Sequence, residues 1–206
     1  MHFTATDTPR KFIPTFGPRA VFANYEWRPL VVADFMKAKA ESESAEAHLL
    51  DRVVHYRPRI NEVEDWADYL CAQPKLAFDI ETKAKQITCI GFAPSKLESF
   101  VIPFWTRSGN YWDDPADEAR AYRAVRRICK SPAIKIAQNG MYDVSYLAAY
   151  GIAVNNFLHD TMIAHHALYP ALPKGLDFLG SLYTNEVAWK RWRVRGGDTN
   201  EYKREE

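Results

Sequence analysis

Cysteine is scarce in this chain, with three residues among 206, and no two of them lie close together in the sequence. Cys71, Cys89 and Cys129 form no CxxC pair and show no Cys/His spacing typical of a zinc site. Neither a disulfide framework nor a structural zinc centre is therefore expected. We expect a reduced protein in the cytoplasm.

Long apolar runs and an excess of one charge are also missing. The longest apolar runs, such as 31–33 and 163–164, are far shorter than the roughly 18 residues of a membrane span. The N-terminus has no basic stretch followed by an apolar block, so no signal peptide and no membrane partner are expected. With 27 Lys and Arg against 26 Asp and Glu the net charge is +1, so a site for a polyanion has to be local.

Several common catalytic motifs are absent as well. The chain contains no GxGxxG, P-loop, GxSxG or HExxH sequence. Dinucleotide, nucleoside triphosphate, serine-hydrolase and zincin chemistry therefore have no support.

What the chain does have is enough apolar sequence, 47% hydrophobic residues, for one sizeable domain. Residues 1–60 differ from the rest because five prolines interrupt them and residues 38–47 are small, polar and charged. We expect residues 1–60 to form an extended arm and linker with a short helix near 31–39. The aromatic residues of this arm either pack on the main domain or stay unpacked. Residues 61–188 are expected to fold as that domain, and 189–206 to form a charged tail.

From residue 61 onward, hydrophobic periodicity predicts helices that alternate with strands. Asn61 and Glu64 resemble a capping box at the start of a helix that ends before Pro74. Short connections between the first three strands predict an antiparallel meander, and the whole pattern predicts an α/β fold with a mixed sheet flanked by helices. The predicted strands are 76–80, 87–92, 100–104, 133–137 and 153–158, and the later predicted helices are 114–130, 141–150, 161–168 and 176–183.

Two acidic residues end the first predicted strand, in the sequence Asp79-Ile80-Glu81. Alternation along a strand places Asp79 and Glu81 on one side and Ile80 on the other. Like charges so close repel each other unless a cation neutralises them, and carboxylates are ligands that Mg²⁺ and Mn²⁺ prefer. A DxE triplet alone is common, so the pair only suggests a metal site.

A second candidate lies at residues 138–143, between a predicted strand and a predicted helix. Asp143 falls in the first turn of that helix, where the helix dipole and free N–H groups favour an acid for structural reasons alone. Taken by itself, this segment fits a helix-end charge as well as a functional one.

Together the two segments, DxE and then NxxYD some 60 residues later, resemble the first and second motifs of the DEDD family of 3′–5′ exonucleases. The chain is similar to the proofreading domain of family A DNA polymerases, of the bacterial polymerase I type and its phage relatives. The sequences HDTM at 159–162 and LPKGLDFL at 172–179 resemble segments that follow the second motif there. The resemblance covers about residues 74–185.

The resemblance implies an RNase H-like fold and two Mg²⁺ or Mn²⁺ ions acting on phosphodiesters at single-stranded 3′ ends of DNA. In that scheme Asp79 bridges both ions, Glu81 holds the ion that carries the attacking water, and Asp143 binds the second ion through water. Asn139 contacts the strand or supports the ligands. Tyr142 stacks on a base or simply packs. The resemblance also implies a polymerase domain of the same or a separate chain as a partner, and a location in the cytoplasm of a bacterium or of a phage-infected host.

The family also has a third motif, Tyr-x3-Asp or His-x3-Asp, and no such sequence follows residue 185. The nearest candidate is Tyr202 and Glu206, a Tyr-x3-Glu in a terminal segment. We expect the chain to be the front part of a longer polymerase-like protein, with a divergent or inactive exonuclease domain as the alternative. With three of four acids, activity is expected to need high Mn²⁺ or to be lost.

Other features leave alternatives open. His159, His165 and His166 near Asp160 could bind a transition metal, although Asp160 also fits a helix N-cap. Basic and aromatic residues alternate at 189–195, which suits a single-stranded nucleic acid or a solvated tail. The alternatives for the whole chain are a non-catalytic nucleic-acid-binding or structural module and an RNase D-like exoribonuclease. The tail residues expected to bind nucleic acid are Lys190, Arg191, Trp192 and Arg193.

Overall fold

The structure is a computed structural model that describes residues 2–3, 11–46 and 50–186. The chain divides into two compact units, residues 50–164 and residues 1–49 together with 165–206. These bounds differ from the segments 1–60, 61–188 and 189–206 expected from the sequence, which remain predictions of domain organisation. Six predicted site residues lie outside the described residues, and their roles also remain predictions: Lys190, Arg191, Trp192, Arg193, Tyr202 and Glu206.

Ten strands and seven α-helices make up the described part of the chain. The strands, in chain order, are β1 (His2–Phe3), β2 (Lys11–Phe12), β3 (Val53–His55), β4 (Lys75–Lys83), β5 (Gln86–Ala93), β6 (Glu98–Pro103), β7 (Trp105–Thr106), β8 (Gly109–Asn110), β9 (Ile134–Ala137) and β10 (Phe157–Asp160). The helices are α1 (Pro18–Ala23), α2 (Arg28–Ser42), α3 (Ile60–Cys71), α4 (Pro115–Lys130), α5 (Met141–Ala149), α6 (Thr161–Leu168) and α7 (Leu176–Tyr183).

Six strands of the unit 50–164 form one mixed sheet in the order β10-β9-β4-β5-β6-β3. Strands β4, β5 and β6 pair antiparallel, as the predicted meander requires. Strand β9 runs parallel to β4, and β10 runs parallel to β9. This order, a meander followed by alternating helices and strands, confirms the expected RNase H-like mixed α/β fold. Strand β3, parallel to β6 at the edge, was not predicted.

The central strand β4 has the alternation that the sequence predicts. Leu76, Phe78 and Ile80 are buried in the main core, whereas Asp79 and Glu81 on the other side are exposed. Burying the three apolar side chains fixes the register of β4, because a shift by one residue would bring the acids into the core.

The start of α3 differs from the predicted capping box. The helix begins at Ile60, and the backbone N–H of Arg59 donates to the Glu62 carboxylate at 2.6 Å. Asn61 and Glu64 instead accept hydrogen bonds from Arg120 on α4. The prediction was wrong because these two side chains serve the contact between helices.

Helix α4 follows its sequence pattern closely. The Asp114 carboxylate accepts the Ala116 N–H at 2.8 Å and caps the helix, and Pro115 fills its first position. The apolar face of α4 is buried against the sheet and α3, with Val125, Ile128 and Cys129 among its buried residues.

Strand β10 comes later than predicted, at 157–160 rather than 153–158. Asn156 has a φ of 54°, and this left-handed turn precedes the strand. As a consequence His159 and Asp160 end β10, and α6 starts directly after them.

In the unit formed by 1–49 and 165–206, α2 extends through the segment expected to be a linker as far as Ser42. Its Glu41 is only 6% exposed and pairs with Lys11 at 2.7 Å. Asn185 also donates to the Glu41 carboxylate at 2.8 Å. Within this unit, partners distant in sequence thus hold the polar end of α2. Phe16 and Trp27 pack with ring centroids 4.5 Å apart, whereas Phe22 is exposed.

Among the residues that the structure describes, no helix has both the length and the apolar character needed to cross a membrane.

Candidate active site

The two acids of the DxE triplet lie side by side on the exposed face of β4. Across the β4–β5 ladder, Asp79 is opposite Gly91 and Glu81 is opposite Cys89. Gly91 has no side chain, so it does not cover the Asp79 carboxylate from the neighbouring strand. The ladder register shifts between Glu81 and Thr82, and such a bulge bends the strand where the acids end.

Asp143 approaches this pair from the first turn of α5. It is 3% exposed, and its Oδ1 accepts the backbone N–H of Ile80 at 2.8 Å. Ile80 is the residue between Asp79 and Glu81. The structure therefore brings Asp143 to the strand segment that carries Asp79 and Glu81, some 60 residues earlier in the sequence.

Burial raises the pKa of the Asp143 carboxyl, and the nearby charges of Asp160 and Glu81 act in the same direction. Hydrogen bonds from the N–H groups of Ile80 and of Asp143 itself lower it in part. Ionised Asp143 is thus held by backbone dipoles in a place where other acids add negative charge. A cation at this place would relieve that repulsion.

Tyr142 ties α5 to the end of β4. Its hydroxyl lies 2.7 Å from the Thr82 hydroxyl, and its ring is 4.8 Å from that of Tyr146. The side chain remains 45% exposed beside Asp143. Tyr142 therefore packs against neighbouring side chains and still exposes part of its ring to solvent.

Asn139 has a structural reason to be asparagine. Its φ of 58° is in the left-handed region, which asparagine tolerates better than most residues. Its backbone N–H donates to Asp160 at 3.0 Å. The side chain is exposed, so its predicted contact with a nucleic acid remains a prediction.

The histidines near Asp160 form no metal cluster in the described part of the chain, where no three His, Cys, Asp or Glu side chains converge as metal ligands. Asp160 caps α6 by accepting the Met162 N–H at 2.8 Å. His165 is buried, with Nδ1 2.9 Å from the Tyr183 hydroxyl. The N-cap interpretation of Asp160 is therefore correct.

The donor chemistry of Asp79, Glu81 and Asp143 fits Mg²⁺ or Mn²⁺, because all three supply hard carboxylate oxygens. Among the described residues, however, no three His, Cys, Asp or Glu side chains converge closely enough to form a metal site, and this holds for these three acids as well. One oxygen of Asp143 is already engaged by Ile80.

A sequence model of a protein family described as 3′–5′ exonuclease matches residues 58–196, more than half of the chain. The chain belongs to this exonuclease family. It carries a 3′–5′ exonuclease domain of the DEDD type, and domains of this type typically use divalent metal ions. No curated protein sequence matches the chain at a significant level.

Solved structures similar to this exonuclease chain include the Nibbler EXO domain of Aedes aegypti, with 16% identity and a TM-score of 0.48 over 74% of this chain and 81% of that one. RNase D of Escherichia coli has 17% identity and a TM-score of 0.47 over 68% and 34%. The POL domain of Pol1 from M. smegmatis has 18% and 0.47 over 62% and 21%. This chain thus spans about a third of that RNase D chain and about a fifth of that Pol1 chain.

Sequence reasoning missed part of this candidate site. The Ile80 N–H that holds Asp143 is a backbone group, and no side-chain motif reveals it. The hydrogen bonds that Asp160 accepts from the N–H groups of Asn139 and Gly140 were also missed, because a helix cap already explained an acid at that position. The spacing of HDTM after the second motif was the signal that could have suggested them.

Proposed function

We propose that the chain removes nucleotides from single-stranded 3′ ends of DNA, in proofreading for a DNA polymerase of the polymerase I or phage type. Asp79, Glu81 and Asp143 are the catalytic carboxylates and the ligands of two Mg²⁺ or Mn²⁺ ions. The observation that carries this proposal is the hydrogen bond from Ile80 to Asp143, which joins the two motifs at one place.

The surroundings of each carboxylate support its proposed role. Asp79 and Glu81 project from the same exposed strand face, so both carboxylates face a ligand on the same side of the sheet. Asp143 is fixed by the Ile80 N–H, so binding a cation costs little ordering of this side chain. When bound, the metal pair activates a water and stabilises the leaving 3′ oxygen.

Tyr142 and Asn139 flank the acids at the start of α5. The exposed Tyr142 ring provides a face on which the terminal base can stack, and its bond to Thr82 limits its rotation. Asn139 offers an exposed amide to the strand. The tail residues Lys190, Arg191, Trp192 and Arg193 would add charge and stacking for the same strand. If the Tyr202 and Glu206 motif contributes, it completes the acid set.

The experiment uses 5′-labelled DNA and RNA single strands of equal length and a DNA duplex with a mismatched 3′ end, each with Mg²⁺ or Mn²⁺. We expect a ladder that shortens from the 3′ end of DNA, with the mismatched end degraded faster than a paired one. Asp79→Ala should abolish the ladder, because it removes a ligand. Asp68→Ala is the matched control, since Asp68 is an exposed acid that pairs with Arg127 away from the site.

Equal cleavage by Asp79→Ala and the parent would contradict the site assignment. Faster cleavage of RNA than of DNA would favour the RNase D-like function. Strand binding without cleavage by the parent at high Mn²⁺ would favour a non-catalytic nucleic-acid-binding module.

A further inference from the structure

Asp160, at the end of β10, accepts hydrogen bonds from two different parts of the chain. Its Oδ1 accepts the N–H groups of Met162 at 2.8 Å and Ile163 at 3.4 Å, which caps α6. The same carboxylate accepts Asn139 N–H at 3.0 Å on Oδ1 and Gly140 N–H at 2.8 Å on Oδ2. A helix cap needs only the first pair, so the second pair requires its own explanation.

The second pair belongs to the turn from which α5 starts. The carbonyl of Asn139 accepts the Tyr142 N–H at 3.1 Å, and that of Gly140 accepts the Val144 N–H at 2.9 Å. Asp143 lies between these two donors. Through this turn, the position of the Asp160 carboxylate is linked to the first turn of α5 and to the bond between Asp143 and Ile80.

The turn itself is tightly constrained. Asn139 adopts a left-handed φ of 58°, which costs free energy for a residue with a side chain. A Cβ on Gly140 would lie 2.5 Å from Phe157 Cζ and 2.7 Å from Ala137 Cβ, so the backbone passes close to β9 and β10. The Gly140 N–H is at a buried residue, and leaving it without an acceptor would be costly.

We propose that Asp160 is a positioning residue of the exonuclease site, which holds the β9–α5 turn so that Asp143 stays beside Asp79 and Glu81. This inference rests on the proposed function for its consequence in metal binding. The positional link from Asp160 to Asp143 rests on the hydrogen bonds alone. Groups that orient metal ligands in this way commonly change metal affinity about 10–100-fold when they are altered.

Asp160→Asn is the informative variant, because it keeps the shape and one acceptor oxygen. An amide has a single acceptor oxygen, so either the Gly140 N–H on Oδ2 or the three N–H groups on Oδ1 lose their acceptor. The matched control is Asp114→Asn, which alters the N-cap carboxylate of α4 and its bond to Ala116. Asp114→Asn makes the same change from carboxylate to amide at a helix N-cap, so a general effect of that change would appear in both variants.

The first measurement is hydrogen exchange of the Ile80 amide in the full metal-free chain by NMR. This amide donates to Asp143, so its protection reports where that carboxylate is. We expect exchange to be about tenfold faster in Asp160→Asn and unchanged in Asp114→Asn, consistent with the loss of about one hydrogen bond. Unchanged exchange at Ile80 in Asp160→Asn would overturn the proposal.

The second measurement is Mn²⁺ binding by calorimetry, for which we expect Asp160→Asn to bind about tenfold more weakly than Asp114→Asn. Equal affinities would assign Asp160 a purely structural role and overturn its positioning of the site. If the parent neither binds Mn²⁺ nor cleaves DNA, the proposed function fails, whereas the Ile80 exchange still decides the link between Asp160 and Asp143. If Asp160→Asn does not fold, hydrogen exchange of the Gly140 amide in the parent tests the same link. Binding of Mn²⁺ should slow this exchange, and an unchanged rate in Mn²⁺-bound protein would contradict the proposal.

Discussion

Acidic side chains in the unit 50–164 have opposite surroundings on the α3–α4 surface and at the exposed end of β4. On the α3–α4 surface, Glu64 pairs with Arg120 at 2.6 Å and Asp68 with Arg127 at 2.7 Å. At the end of β4, Asp143 and Asp160 accept hydrogen bonds from backbone N–H groups instead. One group of acids is balanced by full positive charges, and the other is held by neutral dipoles.

The pKa values follow this difference. The hydrogen bond from Arg120 lowers the pKa of Glu64, whereas burial and neighbouring acids raise that of Asp143. Charge therefore favours the folded state on the α3–α4 surface and opposes it at the end of β4. A carboxylate whose ionisation is unfavourable in the ligand-free fold is typical of a functional site, because a bound cation would compensate its negative charge.

The largest effect is expected from Asp143→Asn. Loss of this carboxylate should reduce DNA cleavage by at least about 100-fold, because a metal ligand contributes several kcal/mol to the transition state. Asn can still accept the Ile80 N–H, so the fold should remain. The measurement is the rate of 3′ shortening under single-turnover conditions, with Asp68→Ala as the control that should retain activity.

The same variant should be more stable than the parent at neutral pH without metal. Because the folded pKa of Asp143 is raised, the folded state binds its proton more tightly than the unfolded state does. The parent therefore loses stability as pH rises from the unfolded pKa of about 3.9 through the raised folded pKa. We expect Tm in EDTA at pH 7 to be higher in Asp143→Asn than in the parent, and the gain to vanish below about pH 4. A lower Tm at pH 7 would show that Asp143 is a stabilising acid like Glu64.

An intermediate effect is expected from Gly140→Ala in the β9–α5 turn. The added methyl group would meet Phe157 and Ala137 closer than side chains normally approach, so the turn must shift. We expect a loss of stability of about 1–3 kcal/mol and weaker cleavage, because the turn supports Asp143. The measurement is urea unfolding together with the cleavage rate.

Gly17→Ala is the matched control for that variant. A Cβ at Gly17 meets nothing within 4 Å and its φ of −67° suits alanine. Stability close to that of the parent is therefore expected. If Gly140→Ala were as stable and active as Gly17→Ala, close packing of the turn would not be what fixes Asp143.

Local patterns in the sequence predict most of the fold of residues 60–183. The alternation of β4 and the cap and apolar face of α4 follow from the side-chain periods of strands and helices. Helices α6 and α7 begin and end where the sequence predicts. Strand β3 was missed because a three-residue strand at a sheet edge carries too little pattern.

The sequence predicted only those residues of the candidate site whose side chains form a recognisable motif. Asp79, Glu81 and Asp143 could be found because their spacing resembles a family. The Ile80 N–H and the second hydrogen-bond pair of Asp160 could not, since each depends on contacts that only the folded chain creates. The Asn61 and Glu64 cap was wrong for the same reason, because Arg120 is 56 or more residues away in sequence.

The smallest effect is expected from Arg120→Ala on the α3–α4 surface. Arg120 pairs with Glu64 and Asp117, and all three side chains are partly exposed, so removing the arginine should lower Tm only slightly. The lowered pKa of Glu64 stabilises the fold above its unfolded pKa and stops doing so as pH falls. Any loss in Arg120→Ala should therefore be present at pH 7 and absent at low pH.

This pH dependence has the opposite sign to that of Asp143→Asn, so thermal melts of both variants from pH 3 to 8 test the comparison directly. High salt, about 1 M, should screen the exposed ion pairs and remove the difference between Arg120→Ala and the parent. DNA cleavage should be unchanged, because Arg120 contacts α3 and its own helix rather than the acids of β4. A large loss of cleavage in Arg120→Ala would mean that the two groups of acids are energetically coupled, contrary to the separation that their surroundings indicate.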